Sequence, residues 1–303
     1  MLTNADKLHA ANRAFRALFV QTLVATVTIY NKLSTVITDP AEEIDFGFMA
    51  ELPGVREWIG DRVVQNLKRN GMTVRAKPFE LTIGVPMKDI ANDRLNIVKP
   101  RIMDGTQALA KHPDKLFNDL LMEGFNRPCY DGQYFFDTDH PVLQPDGTTV
   151  SVSNMGTAPF DPQGIALAAA LAQMGSLMSE AGEPLEVGGT VLVVGPALAD
   201  AARRAVKSST IEGSSNPNQD IVEVVVSRRL AKYPKRWFVL DCSREIRPIV
   251  VQIKQAPQFI AKDQETDEAM FMRKQAVYGF DGEHNAAYGL WQLAWGSTGE
   301  GES

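Results

Sequence analysis

The feature that most constrains the fold is a helical pattern from Lys88 to Asn126, the longest in the chain. Its apolar residues recur at helical spacing and predict one buried face, formed by Leu95, Val98, Ile102 and Leu109. Asp89 is a candidate N-cap for this helix. Pro100 comes early, where a proline is compatible with helix. A helix in an ordinary core gives the same pattern, so the stretch alone indicates no function.

Pro113 divides the pattern into two helices. A proline lacks the backbone N–H and disfavours helical conformation at the preceding residue, which is His112. We therefore expect the first helix to end near Lys111 and a second to run from Pro113 to Glu123, with Gly124 as its C-cap. Two helices end to end are typical of a spine or of an element that backs a sheet.

A second helix is predicted near the N-terminus, over residues 3–28. Leu8, Ala11, Phe15 and Phe19 form most of its apolar face. Such a face must be covered, and the chain's own core and a neighbouring subunit are equally good candidates from the sequence. Phe15 and Phe19 are therefore candidate contacts between subunits.

Residues 44–86 predict an extended arm. A short helix is expected around Glu57–Lys68, and Asn70-Gly71 then marks a turn before an alternating strand. Pro78 within this strand favours a position at the edge of a sheet. A long, partly charged hairpin suits contact with another molecule, and its candidate contact residues are Trp58, Arg75, Lys77 and Phe79.

The remaining chain predicts a small α/β unit followed by a β-rich segment, so the fold class is α+β. A helix capped at Asp161-Pro162 and running through Met178 precedes a buried strand at Thr190–Val194. The elements expected after it are a helix at Ala197–Lys207, an adaptable polar loop at 207–220, and strands at Ile221–Val226, Arg236–Leu240, Ile249–Ile253, Phe271–Phe280 and Tyr288–Trp295.

Composition excludes several classes of protein. The 303 residues carry a net charge of -6, which is not expected of a protein that grips nucleic acid, although it is compatible with one that encloses it. The densest basic cluster contains Arg228 and Arg229, which we interpret as an interface or solvated face.

The chain shows no signal peptide and no apolar run of membrane-spanning length, so a soluble, intracellular product is expected. Its two cysteines, too few for a disulfide framework, favour a reduced compartment.

Asp137, Asp139 and His140 form the sharpest cluster of chemistry-bearing residues. Two carboxylates and an imidazole could hold a divalent metal for hydrolysis, whereas turn formation by aspartate side chains explains the same residues without a metal. Cys129 has no base at recognisable spacing, so we interpret it as an inert thiol. The sequence therefore predicts no enzyme active site, no cofactor and no metal.

Five blocks, in order over nearly the whole chain, resemble the Mu-like prophage major head subunit family. The most specific is FMRKQAVYGFDGEHNAAYGLWQLAWGSTG at 271–299; the others are FGFMAELPGVREWIGDRVVQNL, FELTIGVPMKDIANDRL, HPDKLFNDLLMEGF and CYDGQYFFDTDHPV. The resemblance implies a tailed-phage major capsid protein with the Hong Kong 97-type capsid fold. The fold would comprise an N-terminal arm (1–43), an E-loop region (44–86), a P-domain with the spine helix (87–158 and 241–303) and an A-domain (159–240).

The resemblance also implies partners and a location. Copies of the chain would form hexamers and pentamers of an icosahedral shell that encloses double-stranded DNA without sequence-specific binding. A scaffolding protein and a portal would take part in assembly in the bacterial host cytoplasm, and the product would be the virion. Two other hypotheses remain open at this point. One is a shell of the same fold, such as a cellular nanocompartment or gene-transfer particle; the other is a metal-dependent hydrolase at Asp137, Asp139 and His140.

Overall fold

The computed structural model describes residues 4–46, 73–92, 94–144, 146–179, 182–262 and 267–301. The α-helices in this part of the chain are α1 (Asn4–Ala25), α2 (Tyr30–Leu33), α3 (Met87–Ala91), α4 (Leu95–Ala110), α5 (His112–Glu123), α6 (Ile165–Gly175), α7 (Ala199–Lys207) and α8 (Glu268–Arg273). The strands are β1 (Thr35–Thr38), β2 (Glu43–Asp45), β3 (Thr73–Arg75), β4 (Lys77–Pro86), β5 (His140–Leu143), β6 (Thr149–Val152), β7 (Met155–Gly156), β8 (Val191–Val194), β9 (Thr210–Ile211), β10 (Ser214–Ser215), β11 (Glu223–Val226), β12 (Trp237–Leu240), β13 (Ile249–Lys262), β14 (Gln275–Tyr288) and β15 (Ala294–Ser297).

The spine is divided where the sequence indicates. The first helix ends before Lys111 and α5 follows directly, ending at Glu123. The start differs from the prediction, because Asp89 lies inside the short helix α3 and α4 begins only at Leu95. Pro100 lies one turn into α4. Val98, Ile102 and Leu109 are buried as predicted.

A four-stranded sheet, in the order β1-β13-β14-β4, supports these helices. The long hairpin of β13 and β14 forms its centre, and alternate residues of β14 are buried. Helix α4 approaches the sheet closely at Gly105, where an added Cβ would lie 3.2 Å from Leu81 and Phe280 side-chain atoms. Strand β4 is the edge strand expected from Pro78, which pairs with Glu283 of β14.

The second sheet has five strands in the order β11-β8-β12-β15-β7. All four residues of β8 and of β12 are buried, because the core lies on both faces. Strands β7 and β15 lie outside residues 159–240, so the sheet extends beyond the A-domain boundaries implied by the resemblance. Helix α6 begins at Ile165, where the Asp161 carboxylate accepts N–H groups of Ile165 and Ala166, as expected of a capping residue.

Several predictions for the rest of the chain are wrong in detail. Helix α6 ends at Gly175 instead of running through Met178, and the strand expected at Tyr288–Trp295 is interrupted by a 3₁₀ helix at Trp291–Leu293. Residues 271–273 belong to helix α8 rather than to a strand, and β14 begins at Gln275. The polar loop at 207–220 contains the β9–β10 ladder and is anchored at Asn216, which is buried and donates to the Ala205 and Ser208 carbonyls. The amide of Asn216 ties the second half of the loop to its start, and the backbone N–H of Asp220 donates to the Val206 carbonyl, so the base of the loop is fixed.

Candidate assembly surfaces and polar clusters

Helix α1 packs on the chain's own core. Phe15 is fully buried and meets Tyr278 of β14 edge to face, with ring centroids 5.2 Å apart, and Phe19 packs against Phe259 and Phe280. Neither phenylalanine side chain has surface to offer a second subunit in this conformation. This corrects their selection as contact residues: the helical spacing found the apolar face but could not show what covers it.

The outward side of α1 carries a separate apolar stripe. Val20 is 54% exposed, and Val24, one turn further, is 83% exposed. Val27, just beyond the helix end, is also 83% exposed. Scattered exposed apolar residues are normal, but Val20 and Val24 lie one turn apart on the helix and Val27 is exposed just after its end, so the three offer an apolar patch that a partner could cover.

The β2–β3 ladder brings together two positions of the predicted arm, which was expected over residues 44–86. Strands β2 and β3 are antiparallel, and Asp45 lies opposite Thr73, so the two ends of the intervening segment are neighbours. Trp58 and the predicted helix at Glu57–Lys68 lie outside the described residues. Arg75 at the base is exposed and paired with Glu42.

Strand β4, in contrast, is part of the subunit's own sheet. It pairs with β14 over its whole length, and Val85 is buried. Lys77 is exposed at the first position of the strand. Phe79 is half-buried and packs on two histidines, so only part of its ring is open to another molecule.

Those histidines form a pair where β4, α5 and β14 meet. Nδ1 of His112 and Nε2 of His284 are 2.8 Å apart, and the Phe79 ring centroid lies 4.1 Å and 4.8 Å from the two imidazoles. Burial, reinforced by His112, lowers the pKa of His284 to about 4. Burial also lowers the pKa of His112, with smaller effects of Lys115 and Arg229 in the same direction. The pair is therefore neutral at physiological pH.

The basic cluster lies on a 3₁₀ helix at Arg228–Lys232, against α5. Arg228, Arg229 and Lys232 are exposed, and no ion pair joins them to an acidic side chain among the described residues. Nearby Arg236 is held differently: its Nη1 donates to the Met122 carbonyl. The exposed cations are free to meet an acidic surface.

Asp137, Asp139 and His140 do not form a metal site. The Asp137 carboxylate accepts the backbone N–H groups of Tyr134 and Thr138, the turn role that competed with the metal hypothesis. Asp139 accepts the Ser151 hydroxyl instead. The imidazole of His140 points towards Asp131 instead. The three side chains therefore do not converge on one point, as a hydrolytic metal site would require.

His140 instead meets Asp131 and Cys129. Its Nδ1 lies 2.6 Å from Asp131 Oδ2, while the Cys129 thiol donates to Asp131 Oδ1 at 3.1 Å. One ligand atom from each side chain lies within 4.8 Å of the others. Burial raises the pKa of Asp131, but hydrogen bonds from His140 and Cys129 outweigh it and the net pKa is lowered. Burial and Asp131 raise the pKa of the Cys129 thiol, which agrees with an inert thiol.

Sequence reasoning missed this cluster for an identifiable reason. Asp131 is followed by Gly132 and reads as turn chemistry, and the ligand atoms come together only when the loop folds back onto β5. Cysteine, aspartate and histidine within twelve positions were the available signal.

In the described part of the chain, no helix combines the length and apolarity needed to cross a bilayer.

Comparisons with known proteins define the class. The fold is shared with a virus-like particle from Pyrococcus furiosus, with TM-score 0.54 at 9% identity, covering 94% of this chain and 98% of the other. A procapsid of bacteriophage JBD30 is similar with TM-score 0.63 at 28% identity, covering 95% of this chain and 74% of the other. The fold is therefore that of shell-forming capsid proteins, the Hong Kong 97 type.

The sequence comparisons identify the family. The family model of the Mu-like prophage major head subunit gpT matches residues 8–163, 163–230 and 228–302. The major capsid protein of Escherichia phage Mu is 25% identical over 297 residues, covering 97% of this chain and 74% of that protein. The chain belongs to the Mu-like prophage major head subunit family, as the five sequence blocks indicate.

Proposed function

We propose that this chain is the major capsid protein of a Mu-like phage or prophage head, a structural protein rather than an enzyme. The observation that carries the proposal is the family match along almost the whole chain, from residue 8 to residue 302. The capsid fold of the JBD30 procapsid supports it independently. The finer proposal is that hexamers and pentamers of this chain close an icosahedral shell around double-stranded DNA.

The outward stripe of α1 is proposed as one contact between subunits. Rings of identical chains need heterologous contacts, in which one patch meets a different patch on the next copy. Val20, Val24 and Val27 supply such a patch, because they are exposed while the opposite side of α1 is anchored in the core. This proposal replaces Phe15 and Phe19 with residues that a neighbour can reach.

The segment 47–72 is proposed to act as the reaching part of the E-loop. The observation that supports this proposal is that Asp45 and Thr73, which lie on either side of the segment, are opposite each other in the β2–β3 ladder. Trp58 would be a contact residue there, and Arg75, Lys77 and Phe79 would lie at its base. The domain boundaries inferred from the family remain proposals, with the five-stranded sheet shared across the limits of residues 159–240.

Arg228 and Arg229 are proposed to face an acidic surface of a neighbouring subunit. They are exposed and adjacent, and neither forms an ion pair with an acidic side chain among the described residues. A net charge of -6 means that each copy carries excess acidic surface that could meet them. Scaffolding protein, portal and packaged DNA are the further partners that this function requires, with assembly in the host cytoplasm and the virion as the final location.

Particle formation tests the proposal. The chain, co-produced with the other head proteins of its prophage, should form closed shells in negative-stain images, and isolated particles should protect double-stranded DNA from nuclease. Val24→Glu should keep the subunit's circular dichroism spectrum and melting temperature but prevent shells, because an exposed valine contributes little to the monomer. Val24→Ile is the matched control and should assemble. A native chain that remains monomeric under these conditions would contradict the proposed function.

A further inference from the structure

The Cys129–Asp131–His140 cluster lies where the loop before β5 is fixed to the C-terminal segment that contains Trp291 and Ala294. Asn154 makes this attachment, since its Nδ2 donates to the carbonyls of Phe135, Trp291 and Ala294. His140 is fully buried and stacks on the Trp291 ring, with centroids 4.0 Å apart and planes 9° from parallel. The imidazole therefore has a fixed position and orientation.

Asn154 also determines which nitrogen of His140 carries a proton. With Nδ2 donating to carbonyls, the Oδ1 atom is the acceptor, and it receives the backbone N–H of Asp137 at 2.9 Å. The same Oδ1 lies 3.1 Å from Nε2 of His140, so Nε2 must donate. In a neutral imidazole the other nitrogen, Nδ1, then presents a lone pair.

That lone pair faces a carboxylate. Nδ1 lies 2.6 Å from Oδ2 of Asp131, whose Oδ1 already accepts the N–H of Gln133 and the thiol of Cys129. Two electron-pair donors at this distance repel unless a cation lies between them. A proton satisfies the requirement at 2.6 Å, and a metal ion satisfies it with a modest expansion of the cluster.

We propose that Cys129 Sγ, the Asp131 carboxylate and His140 Nδ1 bind a divalent zinc-class ion that cross-links this loop. The donor set is one that zinc prefers, and the Nε2–H bond to Asn154 is the outer-shell contact that typically orients a ligating histidine. In tetrahedral geometry the nitrogen and oxygen ligands would separate to about 3.4 Å, so the side chains must move apart by less than ~1 Å. The role is structural and involves no hydrolysis.

The binding step balances in protons. The ion displaces the thiol proton of Cys129 and the proton shared by His140 and Asp131, so two protons are released and a thiolate, a carboxylate and a neutral imidazole remain. A water molecule completes the four ligands, because the Asp131 side chain retains 11% of its exposure and gives solvent a route to the site. The inference does not depend on the proposed capsid function.

Cobalt(II) titration of the full-length subunit tests the site. A thiolate-to-cobalt charge-transfer band with tetrahedral d–d bands should saturate at one ion per chain, and zinc should abolish it by displacement. Cys129→Ser should remove the charge-transfer band and weaken zinc binding at least about tenfold. The matched control is Cys242→Ser, because Cys242 is also a half-buried free thiol but belongs to no such cluster among the residues that the structure describes.

Thermal melting supplies an independent readout in case a variant folds poorly. Zinc, but not magnesium, should raise the melting temperature of the unaltered chain, since a ligand that binds only the folded state stabilises it. Absence of a cobalt charge-transfer band with no zinc-dependent rise in melting temperature would overturn the proposal and leave the proton as the bridging cation. A band that survives Cys129→Ser but is lost in Cys242→Ser would overturn it as well.

Discussion

Lowering the pH from about 7 to about 5 should destabilise the subunit by about 2 kcal/mol through His284. The folded state holds the pKa of this imidazole at about 4, below its ordinary value of 6.5, because the ring is buried beside His112 under Phe79. The unfolded chain therefore binds a proton that the folded chain does not, and each pKa unit corresponds to ~1.4 kcal/mol. Stability is retained above pH 6.5 and falls as the pH decreases towards 4.

Urea denaturation at the two pH values measures the effect. His284→Asn removes the titrating group, so the variant should lose about 2 kcal/mol less than the unaltered chain over this interval. The neighbouring charges, Lys115, Arg229 and the opposing Asp119, are unchanged in this comparison. His9→Asn is the matched control, because His9 is exposed on α1. Equal pH dependence in the unaltered chain and in His284→Asn would refute the buried, neutral histidine.

Three further predictions concern the core and the assembly surfaces. Phe15→Ala should lower the free energy of unfolding by about 3–5 kcal/mol, measured by urea denaturation, because a fully buried ring leaves a cavity. Replacing residues 47–72 with a short Gly/Ser linker should leave a folded subunit, checked by circular dichroism, that forms no shells in negative-stain images. Reversing the charge of Arg228 and Arg229 together should reduce shell yield in sedimentation assays more than it reduces DNA affinity of the free subunit.

Each of these predictions has its own control. Val20→Ala, on the outward side of the same helix, should change stability much less than Phe15→Ala does. The linker must preserve β2 and β3, and normal shells from this variant would refute the E-loop assignment. A reversal of Arg203 and Arg204 matches the charge change on α7, so an equal loss of shells there would point to net charge instead of a local contact.

Deleting residues 70–86 would be a poor test of the arm, although the sequence pattern suggests it. The alternation around Pro78 correctly predicts an edge strand, but an edge strand and a free arm have the same local pattern. The ten residues of β4 pair with β14, and Val85 is buried against the core. Only pairing between distant parts of the chain decides that this strand belongs to the subunit's sheet.

The candidate sites also divide into features that follow from the local sequence and features that depend on contacts between distant residues. Turn chemistry at Asp137 follows from local spacing, and the structure contains it. The meeting of Cys129, Asp131 and His140 is not local, because it depends on the loop closing around Asn154. Hydrogen-bond partners that are distant in the sequence leave no periodic signal, which is why the metal hypothesis selected His140 but paired it with the wrong carboxylates.

The sequence by itself determined the division of the spine, the capping role of Asp161 before α6, the buried strand β8 and the family. These features depend on backbone constraints of proline, on caps within one turn and on an order of residues, along the length of the chain, that matches the family. The tertiary structure alone decided that α1 covers its own core through Phe15 and leaves Val24 exposed. The spacing of apolar residues in the sequence shows that one face of the helix must be buried. Which surface covers that face depends on the packing of the whole chain.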